Sequence, residues 1–445
     1  MNKNLRQIGI KDESFELLKV SELIDRKLIE RPIDGNHGET HPKGTDFVDF
    51  GVPFIMASDI KNGRINFDSC KYISEKQADS LRKGFAKNGD VLVTHKATIG
   101  ETAIVDYGDH LYIMLTPQVT YYRIKDKSKI NNCYLKFYFD SSLFQQTLAM
   151  WAGAGSTRAY LGITAQHNLP VILPQIEKQK KIAAILSAYD ELIENNRRRV
   201  VLLENMAEEI YREWFVRFRF PGYKTTDFQK GIPKEWSMIK LEKAFKFLGG
   251  GTPSKDKDSY WKEGKVNWYT PSDITGANGI FLNESSEKPN EEGLKSCSAK
   301  IFPAYSIMMT SRATIGELAI NRTEACTNQG FITCIPNKQY PLCYLFLWLK
   351  LNKNHFISLC GGATFPELNK GTFRRIEILT PSESVITQYQ DLVYPLFNKI
   401  ELLLLENENL IKAKNLLLPR LISGKLSVEK LEIQFPPSML ALNKN

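Results

Sequence analysis

The sequence predicts an α+β protein with a pseudo-twofold tandem repeat: two similar α/β globular domains separated by two long antiparallel, coiled-coil-like helices. Three observations lead to this prediction. A motif from the first half of the 445 residues recurs in the second half. Each half begins with short β-like runs and turn clusters. Each half also contains one long stretch of heptad periodicity, which is typical of a helix that packs against another helix.

The internal repeat is clearest at residues 97–104 and 313–320, which are identical at seven of eight positions. Further matches follow in the same order along both halves, at offsets of 207 to 221 residues. They pair 15–20 with 236–241, 58–60 with 272–274, Gln118 with Gln329, 134–135 with 344–345, 155–157 with 362–364, and 171–174 with 378–381. An ordered series over half the chain indicates a tandem duplication.

The pattern of β-like and helical segments gives the domain boundaries. Apolar runs bounded by turn residues occur at 52–56, 90–94, 118–124, 306–310 and 330–335, and helical stretches follow at 134–151 and 344–359. We predict globular domains at residues 1–170 and 221–378, long spacer helices at 171–220 and 379–425, and a C-terminal tail at 426–445.

Side chains in the two long helices recur at alternating steps of three and four, a seam that is buried only against another seam. The first seam is Ile182, Leu186, Tyr189, Ile193, Asn196, Val200, Leu203, Ala207, Ile210 and Trp214. The second is Val393, Leu396, Ile400, Leu403, Asn407, Leu410, Lys414, Leu417 and Leu421. The first helix, residues 175–215, would extend roughly 60 Å. We expect Pro395 to start or kink the second helix and Pro419 to help end it.

Each seam contains one asparagine near its middle, Asn196 and Asn407. If the helices pack antiparallel, the two amides should lie close together and fix the register of the pair. The alternative is that both amides face solvent.

Composition narrows the class of protein. The net charge of +9 is compatible with a polyanionic partner without establishing one. Seven scattered cysteines without a C-x-x-C pair fit reduced thiols rather than a disulfide scaffold or a zinc ribbon. The apolar run 341–349 is too short to span a membrane, and the charged start contains no leader-like apolar segment, so we expect a cytoplasmic protein with no membrane partner.

Candidate nucleic-acid contacts fall into two groups. Basic residues between 61 and 96, among them Lys61, Arg64 and Lys71, are interleaved with aromatics and could contact phosphates, although a solvated charged face is the alternative. The repeated turn offers His95, Lys96 and Thr98 in one half and Arg312 and Thr314 in the other, beside a glycine that permits close approach. Its alternative role is a tight turn that places Ile99 and Ile315 in the core.

Two further repeated segments supply candidates. The loops at 155–160 and 362–367 keep their frame but differ in side chains, as readers of two different sequences would; their candidates are Thr157, Arg158, Tyr160, Thr364 and Phe365. Gln118 and Gln329 could each read adenine, or could instead satisfy buried backbone groups. Ser272 lies in the repeated Ser-Asp-Ile segment.

Catalytic motifs are not found. Residues 37–41 read H-x-E-x-H rather than H-E-x-x-H, so we expect no metal there. The glycine runs at 153–155 and 249–251 lack the spacing of a nucleotide fingerprint, and no phosphate-binding G-x-x-x-x-G-K-[ST] is present. The Pro-Pro pair at 436–437 lacks the flanking residues of the amino-methyltransferase tetrapeptide. We therefore expect a non-catalytic chain with no cofactor of its own.

Several segments in order carry a family resemblance: Gly-Ile-Pro-Lys-Glu-Trp at 231–236, the doubled Ala-Thr-Ile-Gly-Glu, Leu-Pro at 173–174, Trp-Phe-Val at 214–216, and residues 417–424. Over nearly its whole length the chain resembles the DNA-specificity subunit of Type I restriction–modification systems. The resemblance implies two target recognition domains that read a bipartite site in double-stranded DNA. It also implies helical regions that dock two methyltransferase subunits and restriction/translocase subunits, with S-adenosylmethionine, ATP and Mg on those partners.

Three other functions predict different features of the chain. A stand-alone methyltransferase or restriction enzyme predicts a cofactor or metal motif. A coiled-coil adaptor predicts weak, salt-insensitive binding to DNA. A mimic that inhibits restriction would need an acidic surface, contrary to the net charge of +9.

Overall fold

The computed structural model describes residues 10, 15–37, 41–107, 112–153, 159–361 and 366–442. The chain forms two compact units. The first consists of Met1–Glu194 with Asn409–Asn445, and the second of Asn195–Glu408. Each long helix therefore contributes residues to both units.

The first unit contains a four-stranded sheet and a five-stranded sheet. Its strands are β1 Glu16–Lys19, β2 Ile33–Asp34, β3 Phe47–Val48, β4 Val52–Ile55, β5 Ile60–Lys61, β6 Arg64–Ile65, β7 Lys71–Ile73, β8 Phe85–Ala86, β9 Val91–Lys96, β10 Thr98–Ile104, β11 Ile113–Leu115, β12 Val119–Tyr122 and β13 Pro170–Leu173. One sheet has the order β10-β9-β12-β2 and the other β3-β7-β4-β11-β8, in which β4 and β11 are parallel. β1 pairs with β13 and β5 with β6.

The second unit contains a five-stranded sheet. Its strands are β14 Phe228–Gln229, β15 Ile232–Pro233, β16 Ser237–Lys240, β17 Phe247–Gly249, β18 Asn267–Tyr269, β19 Phe281–Leu282, β20 Ile307–Thr310, β21 Leu318–Asn321, β22 Ala325–Thr327, β23 Phe331–Cys334 and β24 Glu377–Thr380. The sheet has the order β17-β23-β20-β21-β19, with β19 and β21 parallel. The pairs β14–β15, β16–β24 and β18–β22 stand apart from it.

Short helices connect the strands, and two long ones follow the globular parts. They are α1 Val20–Asp25, α2 Glu75–Asp79, α3 Asn132–Asp140, α4 Ser142–Trp151, α5 Ile163–Gln166, α6 Ile176–Tyr211, α7 Leu241–Ala244, α8 Pro271–Thr275, α9 Glu291–Lys295, α10 Leu342–Leu351, α11 Lys353–Ser358, α12 Lys370–Phe373, α13 Glu383–Ile422 and α14 Pro437–Leu442. The predicted helical stretch 134–151 is two helices, because Ser141 ends α3 and caps α4 by accepting from the backbone N–H of Phe144.

In both units an antiparallel strand pair and a buried tyrosine close the core. In the first, β1 pairs antiparallel with β13, and the buried Tyr134 of α3 donates from its hydroxyl to the carbonyl of Ile172 at 2.8 Å. In the second, β16 pairs with β24, and Tyr344 of α10 donates to the carbonyl of Leu379 at 2.7 Å. The tyrosine body fills the core while its hydroxyl satisfies a strand carbonyl, so one residue type meets both requirements.

The long helices pack antiparallel within the second unit. Asn196 donates from Nδ2 to Oδ1 of Asn407 at 3.1 Å, and the ring of Tyr211, later in α6, lies 6.1 Å from that of Tyr389, earlier in α13. Both asparagines are buried, so the paired amides are the alternative that the structure supports. An amide without its partner at this depth would cost about 1–3 kcal/mol, which favours a single register.

Within the first unit, charged groups join the same two helices. Lys414 of α13 is ion-paired with Asp190 of α6 at 2.5 Å. Lys136 of α3, almost fully buried, contacts both Asp140 at 2.8 Å and Asp190 at 3.8 Å. Burial works against the charge on Lys136, but the two carboxylates outweigh it and raise the pKa of this lysine.

Pro395 does not start the second long helix, which was one of the two roles expected for it. The helix begins at Glu383, so Pro395 lies within it. Val385, Ile386 and Tyr389, which precede the proline, are buried in the core of the second unit. Burial of these side chains outweighs the loss of one backbone hydrogen bond at proline. α6 runs from Ile176 to Tyr211 and closes with a π-turn at Arg212–Val216. Across the described residues, every helix is too short or too polar to cross a membrane.

Candidate nucleic-acid interface

The repeated turn of the first unit joins β9 to β10. Ala97 and Gly100 adopt left-handed backbone conformations, with φ of +66° and +94°. The hydroxyl of Thr94 accepts from the backbone N–H of Glu101 at 2.9 Å and so fixes the turn across its width. Lys96 and Thr98 are exposed on it.

The second unit repeats this frame. Ala313 and Gly316 have φ of +58° and +85°, and Thr310 accepts from the N–H of Glu317 at 3.0 Å. Arg312 and Thr314 are exposed at the positions of Lys96 and Thr98. The two turns therefore present a cation and a hydroxyl on the same left-handed backbone. Ile315 is buried and Ile99 partly buried, so the turn also has the core-forming role that the sequence left open.

A second loop lies beside each turn. In the first unit, Tyr160 forms a β-bridge with Lys96, and the N–H of Leu161 donates to the carbonyl of His95 at 3.1 Å. The ammonium of Lys96 lies 5.9 Å from the ring centroid of Tyr160, within the range of a cation–π contact. Tyr160 is 48% exposed, which leaves its ring available for stacking.

The equivalent loop of the second unit has a different chemistry. Arg312 forms a β-bridge with Glu367, and the N–H of Leu368 donates to the carbonyl of Ser311 at 3.0 Å. The side chain of Glu367 accepts from Nε of Arg312 at 2.9 Å. This acidic partner was not among the predicted site residues, although the repeat offset between the two loops had aligned it with Tyr160.

The two glutamines lie next to the turns. The carbonyl of Gln118 accepts from the N–H of His95 at 2.9 Å, and its side chain accepts from the N–H of Ala57 at 3.5 Å. Gln329 is exposed, and its side-chain oxygen accepts from the hydroxyl of Thr252. Gln118 therefore accepts hydrogen bonds from backbone N–H groups, whereas the side chain of Gln329 is exposed to solvent.

The repeated Ser-Asp-Ile segments share one local hydrogen bond. Asp59 accepts from the N–H of Met56 at 2.8 Å, and Asp273 from the N–H of Thr270 at 2.7 Å. Ser272 is exposed on α8, and its role as a DNA contact stays a prediction.

His95, which we expected among the DNA contacts, is fully buried instead. Gln166 donates to its Nδ1 at 2.8 Å, so Nδ1 is the acceptor and Nε2–H donates to the carbonyl of Pro117 at 3.0 Å. Burial lowers the pKa of His95 to about 4, which keeps the ring neutral near pH 7. Because its side chain is buried below the turn, we interpret His95 as packing support for Lys96 and not as a DNA contact.

The remaining basic candidates lie on other elements. Lys61 and Arg64 face each other across the β5–β6 hairpin, and Arg64 contacts Glu194 of α6 at 3.5 Å. Lys71 is exposed on β7, in the other sheet. Of these three residues, Arg64 forms an ion pair with the long helix α6, which indicates a structural role.

Some predicted contacts lie outside the described residues, namely Thr157, Arg158, Thr364 and Phe365. The central part of the H-x-E-x-H segment, residues 38–40, lies outside them as well. In the parts of the chain that the structure describes, no group of three or more His, Cys, Asp or Glu side chains could hold a metal ion.

Two units that repeat the same left-handed turn with an exposed cation define a tandem-repeat α+β class of protein. The family model for the Type I restriction modification DNA specificity domain matches residues 32–205 and 233–413. The chain therefore belongs to the Type I restriction–modification DNA-specificity family. The predicted family is confirmed.

Individual relatives agree with this assignment. The chain is 26% identical over 399 residues to the Type I restriction enzyme MjaIX specificity subunit of Methanocaldococcus jannaschii, covering 85% of this chain and 88% of the relative. It is 23% identical to the HindI specificity subunit of Haemophilus influenzae, covering 84% and 94%. A crystal structure of a Type I S subunit from M. genitalium has the same fold, with a TM-score of 0.53 at 15% identity, over 93% of this chain and 96% of that one. The predicted α+β tandem-repeat fold class is confirmed.

Proposed function

We propose that this chain is the DNA-specificity subunit of a Type I restriction–modification complex and reads a bipartite site in double-stranded DNA. The observation that carries the proposal is the repeated turn, present in both units with the same backbone and a cation at the same position. Lys96 and Arg312 would contact phosphates, because exposed cations beside an open backbone fit the sugar–phosphate edge.

The two half-sites should differ in sequence. The loop beside the turn carries Tyr160 in the first unit and Glu367 in the second, while the backbone contacts around them are the same. An aromatic ring can stack on or contact a base, whereas a carboxylate accepts from the cytosine amino group. The same frame would therefore read different base edges in the two halves.

We infer that catalysis belongs to partner subunits and not to this chain. Two methyltransferase subunits, which would bind S-adenosylmethionine, would dock on the helical regions formed by α6 and α13. Restriction/translocase subunits using ATP and Mg would join them. The lengths of α6 and α13 would set the number of base pairs between half-sites, since two readers one DNA turn apart must be about 34 Å from each other. Such a complex acts on DNA in the cytoplasm.

The experiment is a comparison of genomic methylation by single-molecule sequencing in the source cell, a strain lacking this gene, and the deletion strain complemented with the gene. We expect one split adenine motif that disappears on deletion and returns on complementation. A matched complementation with Lys96→Ala and Arg312→Ala combined should restore it incompletely. An unchanged methylation pattern in the deletion strain would contradict the proposal.

A further inference from the structure

A cavity of about 200 Å³ lies in the first unit, at the opposite end of the central strands from the repeated turn. Asp90 precedes β9 at this end and Arg123 follows β12, whereas the turn lies at the other ends of both strands. Lys87, Lys127 and Lys180 also line the cavity, together with Asn131 at the start of α3. The volume is several times the ~30 Å³ that one water molecule occupies in the liquid.

A buried ion pair fixes the wall of this cavity. Arg123 contacts Asp90 with two parallel hydrogen bonds, Nε to Oδ1 at 2.9 Å and Nη2 to Oδ2 at 2.7 Å. Asp90 is only 2% exposed, and Arg123 also donates to the carbonyl of Phe85 at 2.8 Å. The forked geometry holds the guanidinium in one orientation. Arg123 also contacts the partly exposed Glu30 at 3.4 Å, so carboxylates offset its charge and the remaining positive charge of the cavity comes from the lysines.

Three lysines line the cavity together with this fixed pair. Lys87 and Lys127 are exposed, and Lys180 of α6 is half-buried with Glu177 at 2.9 Å. Glu177 is itself 72% exposed, where solvent screening weakens an ion pair. Asp90 is the one acidic residue among the described residues that line the cavity. The lining therefore has a net positive charge in a concave site, which raises the local concentration of anions.

The second unit shows that the fold does not require these lysines. At the offset of the repeated turn, Lys87 corresponds to Pro303, and at the offset of the seam asparagines Lys180 corresponds to Asp391. Arg123, which follows β12, corresponds to Ile335, which follows β23. The backbone is nevertheless similar, because Gly89 and its counterpart Tyr305 both have positive φ, +87° and +59°. The basic lining is a property of the first unit and not of the repeat.

We propose that this cavity binds a phosphate group. A lining that contains three lysines and a guanidinium held in one orientation suits a compact, multiply charged anion better than a base or an apolar ligand. The phosphate can belong to a small free molecule or to a DNA backbone that extends beyond the recognised sequence. The site is at the far end of β9 and β12 from the reading turn, so it goes beyond the proposed function and does not depend on it.

The test uses the full-length chain and a pair of charge-matched double variants. Lys87→Gln with Lys127→Gln removes two charges from the cavity. Lys125→Gln with Lys129→Gln removes two exposed charges from the neighbouring β12–α3 connection, outside the lining. Binding of inorganic phosphate is measured by isothermal titration calorimetry, and binding of a non-target duplex by fluorescence anisotropy at several salt concentrations. Circular dichroism melting checks that both variants fold.

We expect the cavity variant to weaken phosphate binding about tenfold or more relative to wild type, with the connection variant close to wild type. A loss confined to inorganic phosphate identifies a small free ligand, and a loss confined to the duplex identifies the DNA backbone as the source. Equal behaviour of the two variants towards both probes, or no phosphate binding by the wild-type chain together with unchanged duplex binding, would overturn the proposal.

Discussion

The two copies of the repeated turn have the same backbone and different support. In the first unit the turn rests on the buried His95, held by Gln166 and Pro117, and its cation lies beside an aromatic ring. In the second, Ser311 replaces His95, and the cation is paired with the carboxylate of Glu367. The comparison teaches that duplication preserved the geometry that presents a cation, while the groups beneath and beside it diverged.

The largest expected difference between the copies concerns pH. The unfolded His95 takes up a proton near pH 6.5 and the folded one only near pH 4, so its contribution to stability is complete above about 6.5 and is lost as the pH falls towards 4. The loss is roughly 3 kcal/mol for the first unit. Ser311 does not titrate, so this contribution is absent from the second unit.

This difference can be measured by pulse proteolysis in urea at pH 7 and pH 4.5, with peptide identification to separate the units. His95→Gln should reduce the acid sensitivity of the first unit, and Ser311→Ala should leave that of the second as it is. Identical pH dependence in wild type and His95→Gln would show that His95 does not support the turn in the way described.

The glycines of the turns should behave alike. Gly100→Ala and Gly316→Ala each place a Cβ on a left-handed backbone, where an L-residue costs about 1–2 kcal/mol. The added methyl would also meet the side chain of Gln145 or Lys353, each held by polar contacts of its own, which adds to the cost at both positions. Urea unfolding should show similar destabilisation for both, whereas Gly44→Ala, with open space around it, should have little effect. Clearly unequal effects would mean that the two turns do not share one geometry.

The exposed cations should affect DNA affinity by similar, smaller amounts. If each cation makes the proposed phosphate contact, Lys96→Ala and Arg312→Ala each remove one such contact, so we expect about a three- to tenfold loss of affinity and a salt-dependence slope lower by about one. Fluorescence anisotropy of the assembled complex with its methylated motif gives both quantities. Lys295→Ala, on the exposed face of α9, serves as the control for net charge. An equal loss of DNA affinity in the Lys295→Ala control would contradict a specific role for the turn.

The smallest effect should come from the side chain beside each cation. Glu367→Gln keeps a polar side chain in the loop but removes the charge that pairs with Arg312, so affinity for a non-target duplex should rise by about two- to threefold. Tyr160→Glu introduces a carboxylate beside Lys96 and should lower affinity for the same non-target duplex by a similar factor. A change of the same sign in both variants would contradict the idea that the two loops are equivalent in position.

Much of the fold follows from local sequence patterns. The duplication, the long helices and the proximity of Asn196 and Asn407 depend on periodicity and offset, which are visible in the chain itself. The pairing of β1 with β13 is not, because it joins residues more than 150 positions apart through generic apolar strands. Of the two roles expected for Pro395, starting the helix is wrong, because α13 begins at Glu383 and the buried Tyr389 already lies within it.

The candidate site was predictable in position more than in detail. The sequence placed Lys96 and Arg312 on a turn, since basic residues before a glycine follow a β-run in both halves. It could not show that His95 is buried, because its cover comes from Gln166 and Tyr160, far along the chain. The ion pair of Arg312 with Glu367 likewise depends on how two separate loops meet.

The most direct test of independent reading by the two units is a domain exchange. Residues 1–165 are replaced by those of a relative that directs a different methylation motif, and the motif produced by the assembled complex is determined by single-molecule sequencing of genomic DNA. We predict that one half of the bipartite motif changes to that of the relative while the other half and its spacing stay as in the parent. A change in both halves of the motif would contradict independent reading.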